Sequence, residues 1–236
     1  MPVSPAAIRK ELRALASPET AAIMQRFFKT GPGQYGAGDV FLGIKVPTMR
    51  ALAGKHQDAD LKTVAALLDS RYHEERFFAL LLLMHFYRIS DDEDQTAAFD
   101  LYLNSTHRIN NWDLVDVSAP HIVGRHLQTR RRKILHKLAR STSLWEKRIA
   151  IISTLHFIRQ NDFGDTLRIA ELLLNDKHDL MHKAVGWMLR EVGKRDLAVE
   201  KDFLHRYYLA MPRTMLRYAI ERFPEPIRKN YLDGKV

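Results

Sequence analysis

Tyr72-His73-Glu74-Glu75-Arg76-Phe77, Arg108-Ile109-Asn110-Asn111-Trp112-Asp113, Leu144-Trp145-Glu146-Lys147-Arg148-Ile149 and Leu180-Met181-His182-Lys183-Ala184-Val185 begin 36 residues apart each time. Each places polar residues just ahead of an apolar stripe, at one helical phase. A looser copy stands at Pro212-Arg213-Thr214-Met215-Leu216-Arg217. A period near 36 matches two-helix repeats, and the Trp/Leu-Gly/Tyr pattern of tetratricopeptides is absent, so HEAT-like repeats are preferred. An irregular helical bundle with accidental spacing is the alternative.

Outward from these copies the chain reads as helix. Apolar residues recur at three- and four-residue spacing in Ala21–Phe28, Leu61–Leu68, Phe77–Tyr87, Ile149–Ile158, Ile169–Leu174 and Ala184–Leu189. No alternating β-branched run and no Asn-Gly or Asp-Gly hairpin pair occurs. Breaks fall at Ser17-Pro18, Gly31–Gly43, Val46-Pro47, Ser90–Asp94, Gly164, Met211-Pro212 and Phe223–Pro226. The expectation is one all-α domain over residues 1–236, with a glycine-rich insertion at about 31–41. Stacked antiparallel pairs of HEAT/ARM-like repeats build a superhelical solenoid with a concave face. On that face Arg76, Trp112 and Arg148 share one phase. Glu75, Asn111, Lys147 and Lys183 share the next, which predicts a polar, partly basic stripe.

The 236 residues include 37 Lys/Arg and 28 Asp/Glu, for a net charge of +9. The excess is one-sided: residues 1–118 hold 13 basic and 15 acidic side chains, residues 119–236 hold 24 and 13. Such a basic half points to a polyanion, nucleic acid first. A soluble protein with a high pI and no such partner is the plain alternative. Hydrophobic residues at 46% exclude a disordered chain. The longest apolar run, Phe77–Met84, is far short of the roughly 20 residues of a membrane span. There is no cysteine, so disulfides, thiolate nucleophiles and Cys-based zinc sites are excluded. This and the lack of a secretory leader lead to a cytoplasmic expectation.

Chemistry concentrates at Trp112-Asp113-Leu114-Val115-Asp116. Trp112 and Asp116 are four apart, hence on one helix face. Asp116 interrupts an apolar run, where a carboxylate is costly unless paired or facing a wet groove. Pro120 deprives the Asp116 carbonyl of its helical partner, which predicts a kink. A second indole, Trp187, follows Gly186, which could allow a close approach beside it. A purely structural reading stays open: Asp113 as N-cap, Asp116 as its capping-box partner, Trp112 as staple, and Trp145 and Trp187 in the core. His178 and His182 stand at i,i+4 without an evident third metal ligand. Arg130-Arg131-Arg132-Lys133 reads as a solvated helix end. No nucleotide-binding, dinucleotide or hydrolase-elbow motif is present.

Asn111–Asp116, Trp145–Arg148 and Lys183-Ala184-Val185-Gly186-Trp187-Met188-Leu189-Arg190-Glu191 resemble segments of the AlkD-type DNA alkylation repair family. Phe41-Leu42-Gly43-Ile44-Lys45-Val46-Pro47 is similar to that family's Leu-Gly-Ile/Val-x-x-Pro stretch. The resemblance runs from about residue 20 to 220. It implies a right-handed superhelix of HEAT-like repeats with a basic groove, and hydrolytic release of N3- or N7-alkylated purines from double-stranded DNA. It implies Asp116 as the catalytic carboxylate, Trp112 and Trp187 flanking the lesion's deoxyribose, and Arg148 on a backbone phosphate. Arg190 is a further implied DNA contact. Lys183, Lys147 and Arg76 join the expected basic surface through the register above. No cofactor, metal or membrane is expected, and a solenoid clamp can act as a monomer. The insertion, and Asn111 where some members carry a second tryptophan, depart from the compact family pattern. They keep a binding module for damaged or branched DNA as the alternative, with the insertion as a flexible loop or short hairpin. A protein-binding scaffold is the third possibility.

Overall fold

The computed structural model describes residues 3–236, and among them no strand occurs. The chain divides into two compact units, one ending at Ser118 and one running from Ala119 to Val236. The boundary coincides with the charge break.

The first unit contains α1 (Pro5–Ala14), α2 (Pro18–Phe27), α3 (Val46–Ala53), α4 (Leu61–Leu68), α5 (His73–Ile89), α6 (Asp92–Asn104) and α7 (Trp112–Ser118). Their starts are written in the sequence. Ser4, Ser17, Asp60 and Asp91 accept the orphan amides of α1, α2, α4 and α6, and proline occupies the first turns of α1, α2 and α3. α5 is the centre, with α3, α4, α6 and α7 packed around it. Its residues Phe77–Leu83 are all buried, which is why its apolar run is continuous rather than striped.

The second unit contains α8 (Lys133–Ala139), α9 (Leu144–Ser153), α10 (Leu155–Ile158), α11 (Gly164–Leu172), α12 (Asp179–Gly193), α13 (Leu197–Tyr207), α14 (Arg213–Ala219) and α15 (Glu225–Leu232). First helices pack on second helices, α8 on α9 and α11 on α12, and α12 touches both α9 and α14. That is HEAT-like pairing. The second helices open at His73, Trp112, Leu144, Asp179 and Arg213, each within four residues of its sequence copy.

Two details differ from expectation. After α7 the helical register slips into a π turn over Pro120–Gly124, closed by Gly124 N–H donating to the Ala119 carbonyl at 2.9 Å. Pro120, which has no amide N–H to donate, opens this π bulge. Gly186 does not make room beside Trp187. A Cβ there would overlap the Met215 carbonyl and crowd Tyr218, so this glycine lets α12 approach α14.

Candidate active site

Asn111 is fully buried at the start of α7, and its side-chain oxygen accepts the Trp112 amide at 2.9 Å. Asp113 therefore lies inside the first turn and is not the N-cap, and the Asp113–Asp116 capping box does not form. Asp113 turns instead to α5. Its Oδ2 stands 2.8 Å from His73 Nε2, while His73 Nδ1 stands 2.8 Å from Asp39 Oδ2. Asp39 also accepts from Arg76 Nη2 at 2.6 Å. His73, Asp39 and Arg76 are all nearly inaccessible to solvent.

Burial alone would strip the proton from this imidazole. The carboxylates of Asp113 and Asp39 override it and raise the His73 pKa to about 9. With both nitrogens protonated, His73 donates to both acids. Asp39 is held below the usual carboxylate range: burial opposes its charge, but the His73 and Arg76 contacts prevail.

Trp112, half-buried, caps an aromatic stack. Its ring lies parallel to Phe28 with centroids 5.2 Å apart, and Phe28 stacks on Phe41 at 5.0 Å. Phe41 in turn stacks on His73 at 4.3 Å. Phe27 meets Trp112 edge-on at 6.0 Å and is 64% exposed. Trp112 is thus fixed on both sides of the backbone: through the stack, and through its neighbour Asp113 on His73. Asp116 is half-buried one turn further along α7. Burial, together with the Asp116 charge, holds the Tyr102 phenol above its ordinary value, although its hydrogen bond to Ser118 works the other way.

The glycine-rich excursion is neither a hairpin nor a free loop. Residues 31–38 form consecutive turns, and Asp39 and Phe41 anchor its far end through the relay and the stack. Val40 makes an isolated bridge to Tyr72, with the His73 amide donating to the Val40 carbonyl at 2.8 Å. Glu74, 1% exposed, holds the following strand-like stretch by accepting the amides of Leu42, Gly43 and Ile44.

The expected basic stripe is only partly at the surface. Arg76 is 3% exposed and also donates to the Ser70 carbonyl and Asn110, so its charge is spent inside the protein. Glu75 is fully buried beneath Arg9, Arg13 and Ser70. In the second unit Arg148 is buried and donates to the Leu180 carbonyl at 2.7 Å, which ties the start of α12 to α9. The first helical turns carry these residues, and packing against neighbouring pairs buries them. Lys147 pairs with Asp176, Lys183 with Asp179 at 2.7 Å, and Arg190 with Glu221. Trp187 is half-buried on α12 and donates from Nε1 to Glu191 at 3.0 Å; Trp145 is also half-buried, so neither indole is core. His178 caps α12 by accepting the Leu180 amide, and His182 contacts the Asp176 carbonyl, so both serve the helix start. Among the described residues no group of His, Asp and Glu is arranged to hold a metal ion. No described helix is long and apolar enough to cross a membrane.

Sequence reasoning missed Asp39, His73 and Asp113 as a unit. Their spacing carries no motif, and the only hint is that His73 stands second in a repeat copy.

Residues 8–223 match the model of a family described as DNA alkylation repair enzyme. No curated protein sequence matches the chain significantly. Among solved structures, one described as "Predicted DNA alkylation repair enzyme from Enterococcus faecalis" shares 17% identity. It aligns over 89% of this chain and 97% of that chain with a TM-score of 0.68, a similarity of fold.

Proposed function

The chain belongs to the DNA alkylation repair enzyme family, and from that premise we propose that it is a monofunctional DNA glycosylase for cationic N3- and N7-alkylated purines. One observation supports this most: Asp116 and Trp112 share a face of α7, one acid and one indole, on a helix whose first turn is pinned by Asp113 to His73. Alkylation gives the purine a positive charge that it loses on leaving, so no general acid is required. A two-carboxylate glycosidase needs one because its leaving group is neutral to begin with.

Positive charge then develops on the deoxyribose. The Asp116 carboxylate stabilises that oxocarbenium and orients the attacking water. The Trp112 face adds cation–π attraction of about 0.5–2 kcal/mol, depending on desolvation. The pinned α7 supplies preorganisation, because neither group must be ordered as charge develops. Trp187 is proposed as a further indole contact to DNA. No lysine is assigned as a Schiff-base nucleophile, so strand cleavage is not part of the activity.

DNA affinity rests on the excess of basic residues after Ser118. Lys183 is the best phosphate ligand among the named cations. Its i,i+4 pair with Asp179 is exposed and worth only about 0.3–0.5 kcal/mol, so a phosphate readily replaces it. Arg76 and Arg148 are assigned to holding the fold.

The test is release of 7-methylguanine from methylated duplex DNA by the wild-type protein and by Asp116→Asn. Activity that survives the substitution refutes the assignment. The reading as a binding module for branched DNA draws less support, because the excursion it relied on is packed into the first unit at Asp39 and Phe41.

A further inference from the structure

In the second unit, α12, α13 and the segment Arg222–Ile227 line a half-open cavity of about 280 Å³. Glu200, on α13 and 2% exposed, lines it, and its Oε1 is buried without a hydrogen-bond partner. The Nε of Arg190, which also lines the cavity, is buried without a hydrogen bond, with the Glu191 carboxylate 4.0 Å away and Nη1 held by Glu221. Buried polar atoms of this kind are rare in a folded protein and each calls for an explanation. The arrangement is built: a Cβ on Gly193 would overlap the Glu200 carboxyl, so glycine at this position admits the acid. Burial pushes the Glu200 pKa up to about 8, with Arg190 pulling it down, so the acid is largely protonated near pH 7 and becomes the carboxylate acceptor above about pH 8. The acid thus lacks a compensating donor pair. Leu197, Phe223 and Ile227 give the cavity an apolar wall, and Lys194, Lys201 and Arg222 add cations to its lining.

A ligand that satisfies these groups needs adjacent N–H donors for the carboxylate, an acceptor for Arg190, a flat apolar body and an anionic end. The Watson–Crick edge of guanine offers two N–H donors beside O6. Adenine presents a ring acceptor there, which would face the carboxylate's lone pairs. The volume suits a nucleobase-sized group.

We propose that this cavity binds a guanine nucleotide, with the N–H edge of the base on Glu200, O6 towards Arg190 and the phosphate on Lys194, Lys201 and Arg222. The nucleotide is either free or an unpaired residue of a DNA strand. This site stands apart from the glycosylase reading and does not require it.

The experiment is calorimetric titration of the full-length protein with GMP and with AMP at about pH 8.5, where Glu200 is mostly ionised. GMP should bind saturably, and AMP about tenfold more weakly or worse, because a buried polar pair rejects a ligand that cannot match it. Glu200→Gln should weaken GMP by a similar factor, since the amide offers one acceptor where the acid offers two. Lys201→Ala, which leaves the buried acid in place, should weaken GMP but leave its advantage over AMP. Competition by a single-stranded oligonucleotide with one guanine, and not by its adenine counterpart, would assign the site to DNA. GMP binding without such competition would assign it to the free nucleotide. Absence of saturable GMP binding at millimolar concentration, equal affinity for AMP, or full GMP affinity in Glu200→Gln overturns the proposal.

Discussion

His73 Nε2 lies 2.8 Å from Asp113 Oδ2, and this contact joins the buried centre of the first unit to the opening turn of α7. Asp113 is the residue after Trp112, so the imidazole sets where the indole stands. The same ring takes Asp39 on its other side, which ties the glycine-rich excursion to the candidate site.

The first prediction concerns pH. The folded-state pKa of His73 is raised from 6.5 to about 9. Its contribution to stability is therefore complete below about 6.5 and lost as pH rises through about 9. Thermal melts of the wild type should fall across that window. His73→Gln should be less stable at neutral pH and should lack this part of the decline. Parallel curves for the two proteins would contradict the relay.

Asp39→Ala removes the carboxylate of the buried Arg76 ion pair and leaves His73 with Asp113 alone. Breaking such a pair costs about 3–5 kcal/mol. Chemical denaturation should show a loss of that order, with the midpoint lowered and the slope unchanged. A loss below 1 kcal/mol, about the size expected of a surface pair, would contradict the burial described.

Much of this architecture was legible in the sequence, for identifiable reasons. Ser17-Pro18 and Val46-Pro47 mark helix starts because capping and first-turn proline are local chemistry, and the repeat copies foretold where α5, α7, α9, α12 and α14 begin. The burial of Arg76, Asn111 and Arg148 was not legible. Periodicity tells which residues share a helix phase, but the neighbouring pair decides whether that phase meets solvent. The Asp39–His73–Asp113 relay joins residues 34 and 40 apart in the chain, and no spacing rule reaches it. Gly186 reads as a permissive position in sequence; only the approach of α14 reveals what it permits.

That approach carries a prediction of its own. Gly186→Ala drives a methyl group into the Met215 backbone carbonyl and Tyr218, and backbone cannot swing aside as a side chain can. The gain in helix propensity, about 1 kcal/mol, is smaller than the overpacking cost of roughly 1–3 kcal/mol. A lower melting temperature is expected, and a higher one would show that α12 and α14 are not in such close contact.

DNA binding should separate the exposed cations from the buried ones. Lys183→Ala should weaken duplex binding evenly across sequences and reduce the slope of log affinity against log salt by about 1. Arg148→Ala should lower thermal stability, because the Leu180 carbonyl loses its donor. An unchanged melting temperature combined with a reduced salt slope in Arg148→Ala would return that residue to the DNA surface.

The most direct trial of the glycosylase reading is a single-turnover assay of 7-methylguanine release from methylated duplex DNA, alongside duplex affinity, for the wild type and Asp116→Asn. Base release should fall to the uncatalysed rate in the variant, while its melting temperature and DNA affinity stay close to wild type. Release at the wild-type rate from a folded, DNA-bound Asp116→Asn protein would remove the carboxylate from the mechanism.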